Sequence, residues 1–120
     1  MWMIEPKFLC QKHLLGEHGE IHKHRHNFVK GHSIAGRRGQ IEPESMETRH
    51  NELADEMRRR GYSHKSPYSL PNLSMYDLTD FNVNIQKSFA DLIDRCPCCA
   101  ERIKSLQYLN CNRKNNYDPS

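Results

Sequence analysis

From Pro6 to Lys30 no further proline interrupts the chain, and Leu14, Ile21 and Phe28 recur at seven-residue intervals. That spacing keeps apolar side chains on one side of a helix. Pro6 suits a first helical turn, where its missing N–H leaves nothing unpaired, and Gly31 supplies a C-terminal stop. The pattern predicts a helix over 6–30. His13, Glu17 and Glu20 fall at i, i+4 and i+7, so they share a second, polar face. Gly16 and Gly19 each weaken a helix interior by roughly 1 kcal/mol relative to alanine. Two glycines beside two carboxylates suit either a backbone that something approaches closely or a weakened surface helix.

Residues 31–43 hold three glycines and a proline and read as a loop with a basic tip at Arg37 and Arg38. A second helix is expected over 44–60, closed by Gly61, with Met46, His50, Leu53 and Met57 as its inward stripe. Arg58, Arg59 and Arg60 sit in its last turn, where cations complement the helix dipole; phosphate contact is compatible with that placement. Residues 62–80, with Pro67 and Pro71, read as irregular. A third helix is expected over 82–95, with Val83 or Ile85, Phe89, Leu92 and Ile93 inward. Pro97 then opens a short helix from Cys98 to about Leu106. The expected fold is an all-α, compact three-helix domain with a short Cys-containing C-terminal helical segment. It is read as one domain over 1–120: a helical core at 1–70, the third helix and cysteine cluster at 71–111, and a frayed tail at 112–120.

Composition says what such a domain needs. Only 36% of the 120 residues are hydrophobic, 28% are charged, and the mean hydropathy is −0.91. A core this lean is marginal, which leaves room for a metal, a ligand or a partner to hold it. No run approaches the roughly 18 apolar residues of a membrane helix, and Met1 to Leu15 lack the core of a signal peptide. A cytoplasmic protein with no membrane partner is expected.

The five cysteines then read as reduced thiols or metal ligands rather than disulfides. Cys96 and Cys99 form a C-x2-C pair on a turn entering a helix, the usual half of a structural zinc site. Cys111 is a candidate third ligand. The fourth is Cys98, Cys10 or a histidine, and the spacing does not choose among them. His22 and His26, one turn apart, are spaced to bind a metal as well, but read rather as solvated.

Charge is uneven along the chain. The net charge is +3, but residues 1–40 carry seven Lys/Arg against three Glu and six of the eight histidines. That end suits an anionic partner, and also suits a plain solvated face. Candidate phosphate contacts are Lys12, Lys23, Arg25, Arg37, Arg38 and Arg58.

The run KHLLGEHGEIH at residues 12–22 resembles the first helix of the pyrimidine-dimer DNA glycosylase family, the phage endonuclease V-like enzymes. That family's pattern reads approximately H-L-x-x-E-x-x-E-L. His13, Leu14, Glu17 and Glu20 match it, with Ile21 in place of Leu. A second block, RHNELADEMRRRGYSHKSP at 49–67, resembles the family's R-x-x-E-L…E…x-R-G motif, and GHSIAG before it looks like phage members. The resemblance covers residues 1–67; beyond about Leu70 the chain resembles shorter phage relatives.

The resemblance implies a DNA N-glycosylase and AP lyase acting on damaged or modified double-stranded DNA. In that family an N-terminal α-amine attacks the sugar C1′ and forms a Schiff base, assisted by a glutamate. The matching residues are the amine of Met1 and Glu20, with His13 and Glu17 as further candidate catalytic residues. An α-amine has a pKa near 7.7–8, so a useful fraction is unprotonated at neutral pH. No cofactor is required for that chemistry. The chain departs from the family at two positions. Met1-Trp2 stands where the family exposes Thr-Arg, and the bulk of Trp2 should block removal of Met1. Gly19 stands where the family has arginine. The alternative on the same scaffold is a catalytically inactive, zinc-stabilised module that binds DNA or a protein partner.

Overall fold

The computed structural model of the chain describes residues 1–64 and 67–106. Helix α1 spans Gln11–Val29, α2 spans Met46–Arg59, α3 spans Ile85–Arg95, and residues 97–106 form α4. The described residues contain no strand, so the fold is all-α.

The first helix starts later than its periodicity predicts. Pro6–Phe8 make a separate 3-10 turn, and Leu9 and Cys10 are extended before Gln11. Burial is the reason: Leu9 is fully enclosed and Cys10 is buried, so the chain straightens to insert both. The second helix is likewise preceded by a short turn, Pro43–Ser45. The third begins at Ile85, where the Asn84 side chain accepts the Lys87 N–H.

Both long helices end as their glycines predict. Gly31 has φ +73° and Gly61 φ +91°. Gly31 N–H donates to Phe28 O and His32 N–H to Asn27 O at 3.1 and 2.9 Å. Gly61 N–H donates to Arg58 O and Tyr62 N–H to Met57 O, both at 2.9 Å. Each pair of bonds is the Schellman closure, which requires a left-handed residue just past the helix.

Leu14, Ile21 and Phe28 of α1 and Met46, His50, Leu53 and Met57 of α2 are all buried, on the faces the spacing assigns. All but His50 join the buried N-terminal residues, Ile34, Ile41, Val83, Leu92 and Ile103 in one hydrophobic cluster. The α3 face meets expectation at Val83, Phe89 and Leu92 and differs from it at Ile93. Leu92 and Ser88 are buried and Phe89 is half-buried, while Ile85 and Ile93 are 53% and 42% exposed. Ile85 opens the helix and Ile93 lies off the Ser88–Leu92 face, so neither reaches the core.

The first ten residues have little regular structure, and arginines hold them. Arg60 Nη2 donates to Leu9 O at 2.6 Å and Pro6 O at 3.2 Å, while its Nε donates to Glu56 Oε2 at 2.8 Å. Arg102 donates through Nε and Nη2 to Lys7 O at 3.1 and 2.7 Å. Arg49 donates through Nη1 to Ile4 O at 2.6 Å. Its remaining donors meet Glu17, Nε to Oε2 at 2.6 Å and Nη2 to Oε1 at 2.9 Å. Both residues of this ion pair are only 2% exposed. Within the last turn of α2, Arg59 also bonds Glu56, and Arg58 pairs with Asp55 at 2.8 Å.

Removing one partner of such a buried pair strands the other charge, at about 3–5 kcal/mol. Glu17→Gln is therefore expected to lose stability on that scale in urea unfolding; a loss under about 1 kcal/mol would show the pair to be incidental.

Candidate active site

Helix α1, the loop ahead of α2 and the exposed side of α3 enclose a cleft of about 570 Å³. Met1, Trp2 and Glu20 form one wall, and Arg37, Lys87 and Arg95 bring positive charge to its rim. Lys87 is shared with Asp91, at 2.8 Å.

The α-amine of Met1 donates to Glu20 Oε1 at 3.0 Å and to Gln40 O at 2.8 Å. The next residue fixes the approach, because Trp2 N–H donates to Glu17 Oε1 at 3.2 Å. On the other side of the carboxylate lies buried His24, with Nε2 3.2 Å from the same Oε1. Burial alone would raise the Glu20 carboxyl. The hydrogen bond to His24, and the charge and hydrogen bond of the amine, outweigh it and hold the pKa at about 2. Glu20 is thus anionic throughout the neutral range, within hydrogen-bond reach of a primary amine, in a basic cleft.

Met1 and Glu20 are brought together, but the other two residues of the polar face of α1 are not with them. Glu17 turns inward to Arg49, where it anchors the N-terminal segment instead of lining the cleft. His13 sits among the cysteines, its Nδ1 3.3 Å from Cys10 Sγ and 3.5 Å from Cys99 Sγ. Its ring meets Trp2 edge-on at 5.6 Å, and burial, then Lys12, lowers its pKa. The sharing of one helix face places residues on a side; partners from distant segments then divide that side. Reading the sequence missed His24 and the α3 cations. The i, i+4 spacing of Glu20 and His24 was a usable signal, whereas Lys87 and Arg95 reach the cleft only through tertiary packing.

Of the candidate phosphate contacts, Lys12 and Lys23 are exposed on α1 and Arg37 lines the cleft. Arg25 is engaged with Ser69, through Nε to O at 2.6 Å and Nη2 to Oγ at 3.1 Å. Arg38 lies over the Phe81 ring at 5.6 Å, and Arg58 bonds Asp55. Gly16 and Gly19 are exposed with open space where a Cβ would stand, so nothing in the chain itself demands glycine there.

The cysteines gather at the start of α1. Cys10, His13, Cys96 and Cys99 place one donor atom each within 4.8 Å of one another. Cys10 N–H points to Cys99 Sγ at 3.1 Å and Cys99 N–H to Cys96 Sγ at 3.4 Å. Three sulfurs and an imidazole in a mostly buried corner form a donor set that could hold a metal ion, and it is the set of structural zinc sites. Cys98 points away and is exposed. Cys111, expected as a ligand, lies outside the described residues.

Among the described residues no helix is long and apolar enough to cross a membrane. No curated protein and no solved structure matches the chain. The sequence model of the pyrimidine dimer DNA glycosylase family, however, matches residues 1–70, which contain the Met1–Glu20 contact, α1 and α2. Because that match spans more than half of the chain, the chain belongs to the pyrimidine dimer DNA glycosylase family.

Proposed function

We propose that the chain is a DNA N-glycosylase and AP lyase in which the α-amine of Met1 is the nucleophile and Glu20 its anionic partner. The observation that carries this reading is the 3.0 Å contact between that amine and Glu20 in the basic cleft. In its free-base form the amine attacks the sugar C1′ while the glycosidic bond breaks and the base departs with the bonding pair. Glu20, held anionic, lies beside the positive charge that develops on the sugar. Gln40 O accepts from the amine and aims it. The amine nitrogen gives up a proton and the ring oxygen takes one as the C1′–O4′ bond opens, which gives the Schiff base; a C2′ proton then passes to solvent and the C3′–O bond breaks, so that the 3′ phosphate departs with the bonding pair. The Trp2 side chain on the cleft wall offers an aromatic face to an unstacked base. Double-stranded DNA is the substrate, with Arg37, Lys87 and Arg95 meeting phosphates and exposed Lys12 and Lys23 extending the basic surface.

Cys10, His13, Cys96 and Cys99 hold a structural zinc in this reading. The metal takes no part in the glycosylase chemistry; it ties the start of α1 to the α3–α4 turn.

Borohydride should trap a covalent adduct between the protein and ultraviolet-irradiated or abasic duplex. Glu20→Gln should reduce trapping by at least the 100-fold typical of a lost proton-transfer or charge-stabilising group. No adduct from the parent chain would leave a DNA- or protein-binding module. Affinity for duplex should fall steeply with salt, and Arg37→Ala should reduce the slope of log affinity against log salt by about one. A flat salt response would contradict phosphate contact. Substitution with cobalt(II) should give the intense near-ultraviolet absorption of thiolate–metal bonds, abolished in Cys99→Ser. Its absence from the parent chain would leave plain thiols.

A further inference from the structure

A second group of donors lies on the other side of α1. His18 and His22 are two residues from Glu20 and His24 respectively, about 200° around a helix of 3.6 residues per turn. They therefore face away from the cleft and meet α2 and the segment that follows it. The His18 ring lies 4.8 Å from each of the rings of His22, His50 and His64. His22 and Tyr68 also pack on His50, with ring centroids at 4.9 and 5.4 Å.

The hydrogen bonds within this cluster are incomplete. His50 is 1% exposed. Its Nδ1–H donates to Asn51 Oδ1 at 3.1 Å, which leaves the lone pair on Nε2, and that atom is buried with no partner. His22 Nε2 and Tyr68 Oη are buried without partners as well. His18 Nε2 and His64 Nε2 face each other at 2.8 Å, so two ring nitrogens converge where one proton suffices. One donor atom each from His18, His50 and His64 falls within 4.8 Å of the others.

We propose that His18, His50 and His64 form a second metal site, which takes a borderline divalent transition ion, zinc(II) in particular. Three imidazole nitrogens suit that class, whereas magnesium and calcium take oxygen donors. An ion bound there accepts the converging lone pairs, including the one on His50 Nε2. Asn51 serves as the outer partner that fixes the His50 tautomer, the usual arrangement for a metal-bound histidine. On binding, the proton between His18 and His64 is released to solvent. The exposed Arg58, which donates to His64 Nδ1 at 3.4 Å, swings clear so that this nitrogen can carry the ring proton. The ligands come from α1, α2 and the segment after Gly61, so the ion pins that segment to the helix pair. Three protein ligands also leave a coordination position for water or a phosphate oxygen.

The site is independent of the glycosylase reading and of the cysteine corner, and its test separates it from both. The full chain is stripped with chelator, equilibrated with zinc, desalted, and analysed for metal. His64→Gln should hold one equivalent less than the parent chain while keeping the cobalt–thiolate absorption of the cysteine corner. Asn51→Leu, at an exposed position that leaves the ligands intact, should weaken zinc binding at this site by about 10–100-fold with unchanged circular dichroism. Equal zinc in the parent and His64→Gln would overturn the proposal. Should His64→Gln fail to fold, unaltered zinc affinity in Asn51→Leu would do so.

Discussion

The buried ion pair between Glu17 and Arg49 is the contact on which the arrangement of the N-terminus depends. Its two side chains are enclosed, and each has a second duty: Arg49 donates to Ile4 O and Glu17 accepts Trp2 N–H. A charge pair in such a place contributes little net stability against well-packed apolar residues, and is costly to break. What it supplies here is position. Residues 2 and 4 are fixed to a carboxylate and a guanidinium on two different helices, which leaves Met1 one course, along α1 toward Glu20. The fork of a guanidinium, with its fixed directions, suits this better than an ammonium would.

The same device recurs along the first ten residues. Arg60 holds the carbonyls of Pro6 and Leu9, and Arg102 holds that of Lys7. An N-terminal segment without helix or strand partners must satisfy its carbonyls somehow. Guanidinium groups from α2 and α4 do so, while Met1, Ile4 and Leu9 supply apolar contact beneath. This accounts for how a chain with so few hydrophobic residues closes a core: polar clamps and two clusters of metal-ligand type stand at the places where apolar mass is short. Positive charge therefore divides between two tasks. Arg49, Arg60 and Arg102 hold the fold, and Arg37, Lys87 and Arg95 border the cleft.

The helices and their glycine-closed C-termini were legible in the sequence because their causes are local, whereas the start of α1 was not, because burial of Leu9 and Cys10 set it. Seven-residue spacing buried Leu14, Ile21 and Phe28, and Gly31 and Gly61 closed the helices through the left-handed conformation that glycine adopts freely. The motif around Glu20 was legible through family resemblance over residues 1–67, which the family match over 1–70 bears out. Features made by distant partners were not legible. Glu17 leaves the cleft because Arg49, thirty-two residues on, draws it inward. His13 turns to the cysteines because Cys10 is extended and the turn from α3 into α4 brings Cys96 and Cys99 against it. The C-x2-C pair announced a corner that could hold a metal ion, but the remaining donors of that corner lie more than eighty residues away in sequence.

The central claim is that the N-terminal segment is clamped so that the Met1 amine, and no lysine, meets the sugar. Peptide mapping by mass spectrometry of the borohydride-trapped adduct tests it most directly. The account predicts the nucleotide remnant on the α-amine of the Met1 peptide. A remnant carried on a lysine side chain such as Lys87 or Lys23 would contradict it.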